Sequence, residues 1–153
     1  MSGRQISHEY ANSIMYDLQK AFWDERGKGA RFRMTTVGRE YFKGKGLAQI
    51  KADSATEIAN AIGKILTDEG IVASLTPEQD DRLLRIKVQG CLHHGIEQRL
   101  VAKGVEPFTC IPANLVVMAI EQAMDRPVEL AEIKVGEGVC ELLLVLFDRR
   151  PAP

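Results

Sequence analysis

The residues of this chain that could do chemistry are mainly cysteines and histidines. Cys91, His93 and His94 lie close together, Cys110 follows Cys91 after 18 intervening residues, and Cys140 follows Cys110 after 29. Thiolate and imidazole are ligands of tetrahedral zinc, but without a C-x-x-C pair the spacing alone indicates a metal only weakly. The alternative is three buried thiols, since free cysteine is among the most buried residue types. An odd number of cysteines favours a reducing compartment over a disulfide framework.

A carboxylate can join the last cysteine through a predicted hairpin. The segments 128–135 and 139–147 alternate like strands and are separated by a glycine-rich turn. Strict alternation puts Glu132 on the same face as the apolar residues before it, within about one ladder step of Cys140. A buried carboxylate needs a partner. The alternative is a twist or bulge that turns Ile133 inward and leaves Glu132 in water.

Other chemistry has weaker support. The chain has no G-x-S-x-G, no H-E-x-x-H and no nucleotide P-loop, and nothing in the sequence orients a cysteine–histidine nucleophile. Between residues 24 and 51, eight basic side chains meet three acidic ones, with glycines and aromatics interleaved. Such a stretch can bind phosphate or single-stranded nucleic acid. The alternative is a solvated loop followed by a short helix.

Three amphipathic helices would position these groups. The first is capped by Ser7, and the third opens at Cys110 and is apolar around most of its circumference. The second begins with the capping box Ser54 to Glu57 and ends at Gly70. The first helix carries an apolar stripe at every fourth position, formed by Tyr10, Ile14, Leu18 and Phe22.

The strand pattern predicts an α+β fold in which an antiparallel sheet packs against helices. Strands are expected at 71–75 and 83–89, with a polar turn at 76–81, in addition to the last hairpin. Alternating basic residues in 83–89 indicate a sheet with one wet face. We expect an N-terminal helix and basic loop over 1–34, followed by a single ligand-binding domain over 35–150.

Composition limits the function classes. The chain has 153 residues, 45% of them hydrophobic and 27% charged, with a formal net charge of −1. This profile excludes a disordered tail or a collagen-like fibre and favours no polyanionic partner. No apolar run approaches the roughly 18 to 20 residues of a membrane span, and the N-terminus lacks a signal-peptide core. The sequence therefore predicts a cytoplasmic protein without a membrane partner.

The order of elements resembles the 4-vinyl reductase domain family. A glycine–arginine segment over 38–44 precedes the helix that ends at Gly70, Cys110 opens the apolar helix, and the hairpin closes with 138–142. Members are small hydrocarbon-binding domains, also found as the sensor part of aromatic-responsive bacterial regulators. The similarity covers about residues 35 to 147.

The resemblance implies a fold like that of trafficking-particle tethering subunits, an apolar ligand pocket, frequent dimers and, in several members, a zinc ion. Cys110 and Cys140 match family cysteines, Cys91 lies roughly where members place an upstream ligand, and Glu132 stands where another cysteine is usual. The implied zinc ligands are Cys91, Cys110, Glu132 and Cys140, with His94 or His93 as a substitute. The loop between Cys91 and Cys110 differs in length from the family pattern.

The function expected from these observations is non-enzymatic binding or sensing of a small apolar molecule by a homodimer that pairs through its first helix. The pocket is predicted between the second and third helices and the sheet, or else this space is a fully packed core. Its predicted lining residues are Trp23, Phe42, Ile62, Leu66, Val116, Met118 and Ile120. One alternative is an enzyme or accessory factor of tetrapyrrole or bacteriochlorophyll metabolism. Another is a nucleic-acid-binding module that uses residues 26–51.

Overall fold

A computed structural model describes residues 5 to 148, apart from the side chain of Phe32. Helices and strands are mixed along the chain, and short 3-10 turns precede α2 and follow α3. The elements are α1 (His8–Arg26), α2 (Ala30–Arg33), α3 (Arg39–Lys43), α4 (Ala55–Asp68), β1 (Ser74–Asp80), β2 (Leu83–Gln89), α5 (His94–Ala102), α6 (Ile111–Met124), β3 (Val128–Val135) and β4 (Val139–Leu146). The predicted α+β class is confirmed. None of the described helices is long and apolar enough to cross a membrane.

The four strands form one antiparallel sheet in the order β1-β2-β4-β3. Side chains alternate between a buried and an exposed face, so that Ile86 is buried while Arg85 and Lys87 are exposed. The predicted wet face is thus confirmed. The strand predicted at 71–75 begins too early and ends too early, because β1 includes the polar residues that were expected to form a turn at 76–81. An edge strand tolerates polar residues and Pro77, since its outer side needs no ladder partner.

Helices α4 and α6 cover the buried face of the sheet. The Ser54 hydroxyl accepts a hydrogen bond from the Glu57 amide at 3.1 Å, as the capping box predicts. From that start, α4 directs Ile58, Ile62 and Leu66 into the core, where each is fully buried. Most of the α6 surface is buried as well, in agreement with its sequence.

A second, smaller cluster lies between α1, α5 and the segment after α5. It consists of Tyr16, Ala30, Ile96, Leu100, Val105 and Phe108. Helix α1 packs on α5 through the face that carries Tyr16, and most of the predicted stripe points the other way. The exposed fractions of Tyr10, Ile14 and Leu18 are 61%, 42% and 66%. These three residues of the stripe therefore face solvent, whereas the fourth, Phe22, packs against the second cluster.

Strand β3 contains a bulge that reverses the predicted orientation of its carboxylate. The register with β4 shifts between Leu130 and Glu132. Beyond the shift, Glu132 pairs with Leu143 on the solvent face of the sheet, and Val135 pairs with Cys140 on the buried face. The prediction that Glu132 faces the core beside Cys140 is wrong, because an extra residue in the strand exchanges the two faces. The alternative of a bulge is confirmed.

Candidate metal centre

Three side chains converge where α5 meets β4. His94, Glu97 and Cys140 each offer one ligand atom, and these atoms all lie within 4.8 Å of one another. His94 and Glu97 are three residues apart on α5, so they face the same side of that helix. Cys140 reaches them from the buried face of β4. An imidazole, a carboxylate and a thiol thus meet in one buried or half-buried group that could hold a metal ion.

The three groups form a hydrogen-bonded chain that starts at the last hairpin. The Gly138 amide donates to Nε2 of His94 at 3.2 Å, so a neutral ring carries its proton on Nδ1. That Nδ1 lies 3.4 Å from Sγ of Cys140. The Cys140 thiol in turn donates to Oε2 of Glu97 at 2.9 Å. The positive φ of Gly138, +68°, is a conformation that glycine adopts readily and lets the hairpin tip turn toward α5.

The electrostatic state of the group follows from its burial. Glu97 is only 3% exposed, and desolvation raises the pKa of its carboxyl to about 7, against a smaller lowering by the Cys140 hydrogen bond. Burial and then the nearby Glu97 charge raise the pKa of the Cys140 thiol far above its ordinary value. Without a cation, the pocket therefore keeps its thiol protonated and its carboxylate close to half-protonated at neutral pH.

The other two cysteines lie beside this group. Cys110 is the buried residue that precedes α6, and burial, followed by the Glu97 charge, raises the pKa of its thiol well above the usual value. Burial also raises the pKa of the half-buried Cys91 thiol to about 11, with the His93 backbone amide acting in the opposite direction. Cys91 and Cys140 each contribute to the raised pKa of Cys110. The charge of one carboxylate thus acts on all three thiols, but only Cys140 belongs to the close group.

The predicted ligand set is therefore corrected, because only Cys140 and the substitute ligand His94 belong to the close group, while Cys91 and Cys110 lie outside it. Glu132 lies exposed on the far face of the sheet, and Glu97 supplies the buried carboxylate instead. Of the two histidines, His94 joins the tight group and His93 does not. Sequence reasoning missed Glu97, although its position three residues after His94, next to buried Ile96, is a helical spacing that places a carboxylate on a buried face.

The predicted pocket residues do not line one cavity. Five of them belong to the packed core under the sheet: Phe42, Ile62, Leu66, Val116 and Ile120. Trp23 instead packs in the second cluster, with its ring 5.5 Å from that of Phe108. Met118 is half-buried on α6, where it packs against the core and lines a groove. The pocket prediction is wrong in this respect, because α4 and α6 meet the sheet through interlocking side chains.

A different depression lies against the edge of the sheet. It has a volume of about 540 Å³ and runs between α6, the segment 106–108 and β3. We call it the β3 groove. Its lining is mixed. The larger apolar residues are Phe108, Val117, Val128, Leu130 and Ile133, and the acidic ones are Glu106, Glu121, Glu129 and Glu132. The guanidinium of Arg31 spans its side and donates to the Leu130 carbonyl oxygen at 2.8 Å.

Comparison with known proteins adds no relative. No family profile matches the chain, and no curated protein is significantly similar to it. The resemblance to 4-vinyl reductase domains stays a prediction, and the case for function rests on the geometry of the site.

Proposed function

We propose that this chain is a non-enzymatic ligand-binding domain whose fold is closed by a structural zinc ion. The observation that carries the metal proposal is the buried convergence of His94, Glu97 and Cys140, with ligand atoms within 4.8 Å of one another. A buried carboxylate is costly unless it is paired. Among the described residues, Glu97 has no salt-bridge partner and only a thiol as hydrogen-bond donor. A bound cation would supply the charge partner that Glu97 lacks among these residues.

The donor types favour zinc over other common ions. Magnesium and calcium prefer oxygen ligands, whereas zinc accepts sulfur, nitrogen and oxygen together. Three donors leave one position of a tetrahedron. Cys110 and Cys91 lie outside the close group but feel the Glu97 charge, so either thiol is a candidate fourth ligand. A fourth protein ligand makes the site closed, which is typical of structural rather than catalytic zinc.

The site would join three parts of the chain that are distant in sequence. His94 and Glu97 begin α5, Cys110 begins α6, and Cys140 belongs to the last hairpin. Bound zinc would supply the positive charge that keeps the carboxylate and thiols ionised while they are buried. A metal at Nδ1 of His94 requires the ring proton to leave that atom, so the Gly138 amide would exchange Nε2 for another acceptor.

The test compares two neighbouring histidines. Protein purified without chelator is analysed for zinc content and is also reconstituted with Co²⁺, whose thiolate absorption bands report sulfur ligation. We expect one equivalent in the wild type and weaker binding by about 10- to 100-fold or more in His94→Gln. His93→Gln is the matched control, since His93 lies outside the group and its backbone amide is unchanged.

Two outcomes would overturn the metal assignment. One is the absence of stoichiometric metal in the wild type even after zinc is added. The other is equal loss of metal in both histidine variants, which would indicate a site other than His94, Glu97 and Cys140. The NMR resonance of the Gly138 amide gives an independent readout. Added metal should shift this resonance in the wild type, whereas added metal should leave it unchanged in His94→Gln.

The β3 groove is the proposed binding place for a small, largely apolar molecule. Its apolar lining includes Phe108, two residues before Cys110, so the proposed metal clamp would steady one wall. The ring of Trp23, the single tryptophan, lies 5.5 Å from that of Phe108, so tryptophan fluorescence can report on the groove. Titration with 1-octanol should change this fluorescence saturably. Val117→Phe should weaken binding by filling the groove, whereas Val101→Phe on exposed α5 should not.

A further inference from the structure

A second groove continues from the β3 groove across α6. It has a volume of about 390 Å³ and lies between the segment 35–36, α3, the turn at 47–48 and the middle of α6. We call it the α3 groove. Thr35, Val117 and Glu121 line both grooves, so the two adjoin one another at these residues. A single elongated molecule could therefore occupy both.

Two amide side chains of α6 hold the walls of the α3 groove in place. Asn114, which is 6% exposed, donates from Nδ2 to the carbonyl oxygens of Met34 and Val37 at 2.9 and 3.2 Å. Gln122 donates to the carbonyl oxygen of Ala48 on the opposite wall at 3.1 Å. Because both walls are tied to the same helix, the groove exists before any ligand arrives.

A glycine brings one wall directly onto α6. Gly38 has a φ of +99°, and a Cβ at this position would lie 3.3 Å from Cγ2 of Ile111. A larger residue would be strained by the backbone conformation and crowded by α6. The segment before α3 therefore lies flat on the helix, and α3 starts at the rim of the groove.

Two cations line this groove without an ionic partner. Arg39 and Lys43 are one turn apart on α3, and neither forms a salt bridge with any described residue. The Arg39 side chain lies along the floor, where its Nε donates to Sδ of Met118 at 3.3 Å. By contrast, Lys45 on the same stretch is paired with Glu69 at 3.3 Å. The groove thus carries two positive charges against one carboxylate, that of Glu121, and Leu47, Val117 and Met118 are apolar parts of its lining.

We propose that the α3 groove binds the anionic head of an amphipathic small molecule, either a carboxylate or a phosphate monoester. Arg39 and Lys43 supply the charge, and the hydroxyls of Thr35 and Thr36 at the rim are further donors. The apolar body extends over Val117 into the β3 groove. This inference rests on the proposed small-molecule binding and is independent of the metal.

Three probes with one apolar body test the head group. Octyl phosphate, octanoate and 1-octanol are titrated below their micelle concentrations, with calorimetry for affinity and the methyl resonance of Met118 for location. We expect octyl phosphate to bind at least about tenfold more tightly than 1-octanol, with octanoate between them. The Met118 methyl resonance should shift with each anionic probe, since this side chain forms the floor.

Matched charge variants test which cations act. The double variant Arg39→Gln/Lys43→Gln should lose about tenfold or more in affinity for octyl phosphate and keep its affinity for 1-octanol. The control Lys28→Gln/Lys51→Gln removes two exposed basic residues of the same stretch that do not line the groove. It should bind all three probes as the wild type does, and it changes net charge by the same amount.

Each remaining outcome overturns the inference in a recognisable way. Equal affinities for 1-octanol and octyl phosphate would rule out recognition of an anionic head group but would still agree with the proposed binding of an apolar molecule. If none of the probes bound, both the anionic head group and the proposed binding of an apolar molecule would be ruled out. Equal losses in the two double variants would show a diffuse charge effect. Tight, salt-sensitive binding of an oligo(dT) strand that competes with octyl phosphate would assign the basic surface to nucleic acid.

Discussion

Two buried regions against the inner face of the sheet differ in the residues that form them. Under α4 and α6 the core is hydrocarbon, with Ile62 and Leu144 fully buried among residues like themselves. Where α5 meets β4, the buried side chains include the carboxylate of Glu97 and the thiol of Cys140. The first region is stable by packing alone, since each apolar group gains by leaving water. The second region needs a partner for its charge.

The pKa of Glu97 measures this difference. At the border of the hydrocarbon region, burial keeps the Cys110 thiol neutral, because it raises a pKa that ordinarily lies above neutral pH. At the α5–β4 contact, desolvation raises the Glu97 pKa to about 7, so near neutral pH the region is divided between a protonated and an ionised state. A bound cation would resolve the conflict in favour of the ionised state. We therefore expect the core to be independent of metal and the α5–β4 contact to depend on it.

Metal removal should produce the largest change. At a free zinc concentration of about 1,000 times the dissociation constant, binding to the folded state alone adds about 4 kcal/mol to the free energy of unfolding. Urea denaturation with zinc and with chelator measures the difference. Glu97→Gln should abolish most of it, whereas Glu78→Gln on exposed β1 should preserve it. A zinc effect of equal size in both variants would contradict the assignment of Glu97.

The second prediction concerns pH in the presence of chelator. Because the folded-state pKa of Glu97 is raised from 4.5 to about 7, its contribution to stability is fully present below pH 4.5 and is lost as pH rises through about 7. The shift corresponds to about 3 kcal/mol. Urea denaturation between pH 4.5 and 8 should show this decline in the wild type, and Glu97→Gln should remove it. An unchanged pH slope in Glu97→Gln would mean that another group is responsible.

A smaller effect is expected from the hydrocarbon core. Ile62→Val removes one methylene from a fully buried side chain of α4, which typically costs about 0.5 to 1.5 kcal/mol. The same loss should appear with zinc and with chelator, because Ile62 lies in the core under the sheet and not in the metal group. A loss that depends on metal would show that the two regions are coupled, and the comparison would have to be abandoned.

The hydrocarbon region is also the part of the fold that the sequence predicted best. Local chemistry determines it: the Ser54 capping box starts α4, Pro112 marks the first turn of α6, and alternation in 83–89 assigns β2 one buried face. Such patterns depend on neighbours in the chain, so they can be recognised before the tertiary structure is known.

The polar region could be predicted only in part. The three cysteines were identified by residue type, but their carboxylate partner was assigned to Glu132 by counting alternate positions along β3. A single extra residue after Leu130 invalidates such counting, and the sequence indicates that bulge only through the change of apolar phase between Leu130 and Ile133. The sequence does not single out Glu97 as a ligand, because a charged residue on a short helix is usually solvated. Its burial depends on the packing of α5 against both α1 and β4.

The smallest effect on stability, yet a clear one on assembly, is expected from the outer face of α1. Tyr10, Ile14 and Leu18 recur at every fourth position and form an exposed apolar stripe of about 12 Å along the helix. The inner face of α1 already packs on α5, partly through the Arg99 guanidinium 4.0 Å from the centre of the Tyr16 ring. We therefore expect the outer stripe to pair with its counterpart in a second copy of the chain.

Leu18→Lys tests this pairing. It should convert a homodimer into a monomer in light scattering at micromolar concentration, while the stability of the isolated subunit changes by less than about 0.5 kcal/mol, since the residue is 66% exposed. Val101→Lys, at a half-exposed position on α5 outside the stripe, should leave the dimer intact. If the wild-type chain is monomeric under the same conditions, the predicted homodimer is ruled out. Dissociation by both variants would place the contact on α5 instead, and α1 would then serve only to cover the second cluster.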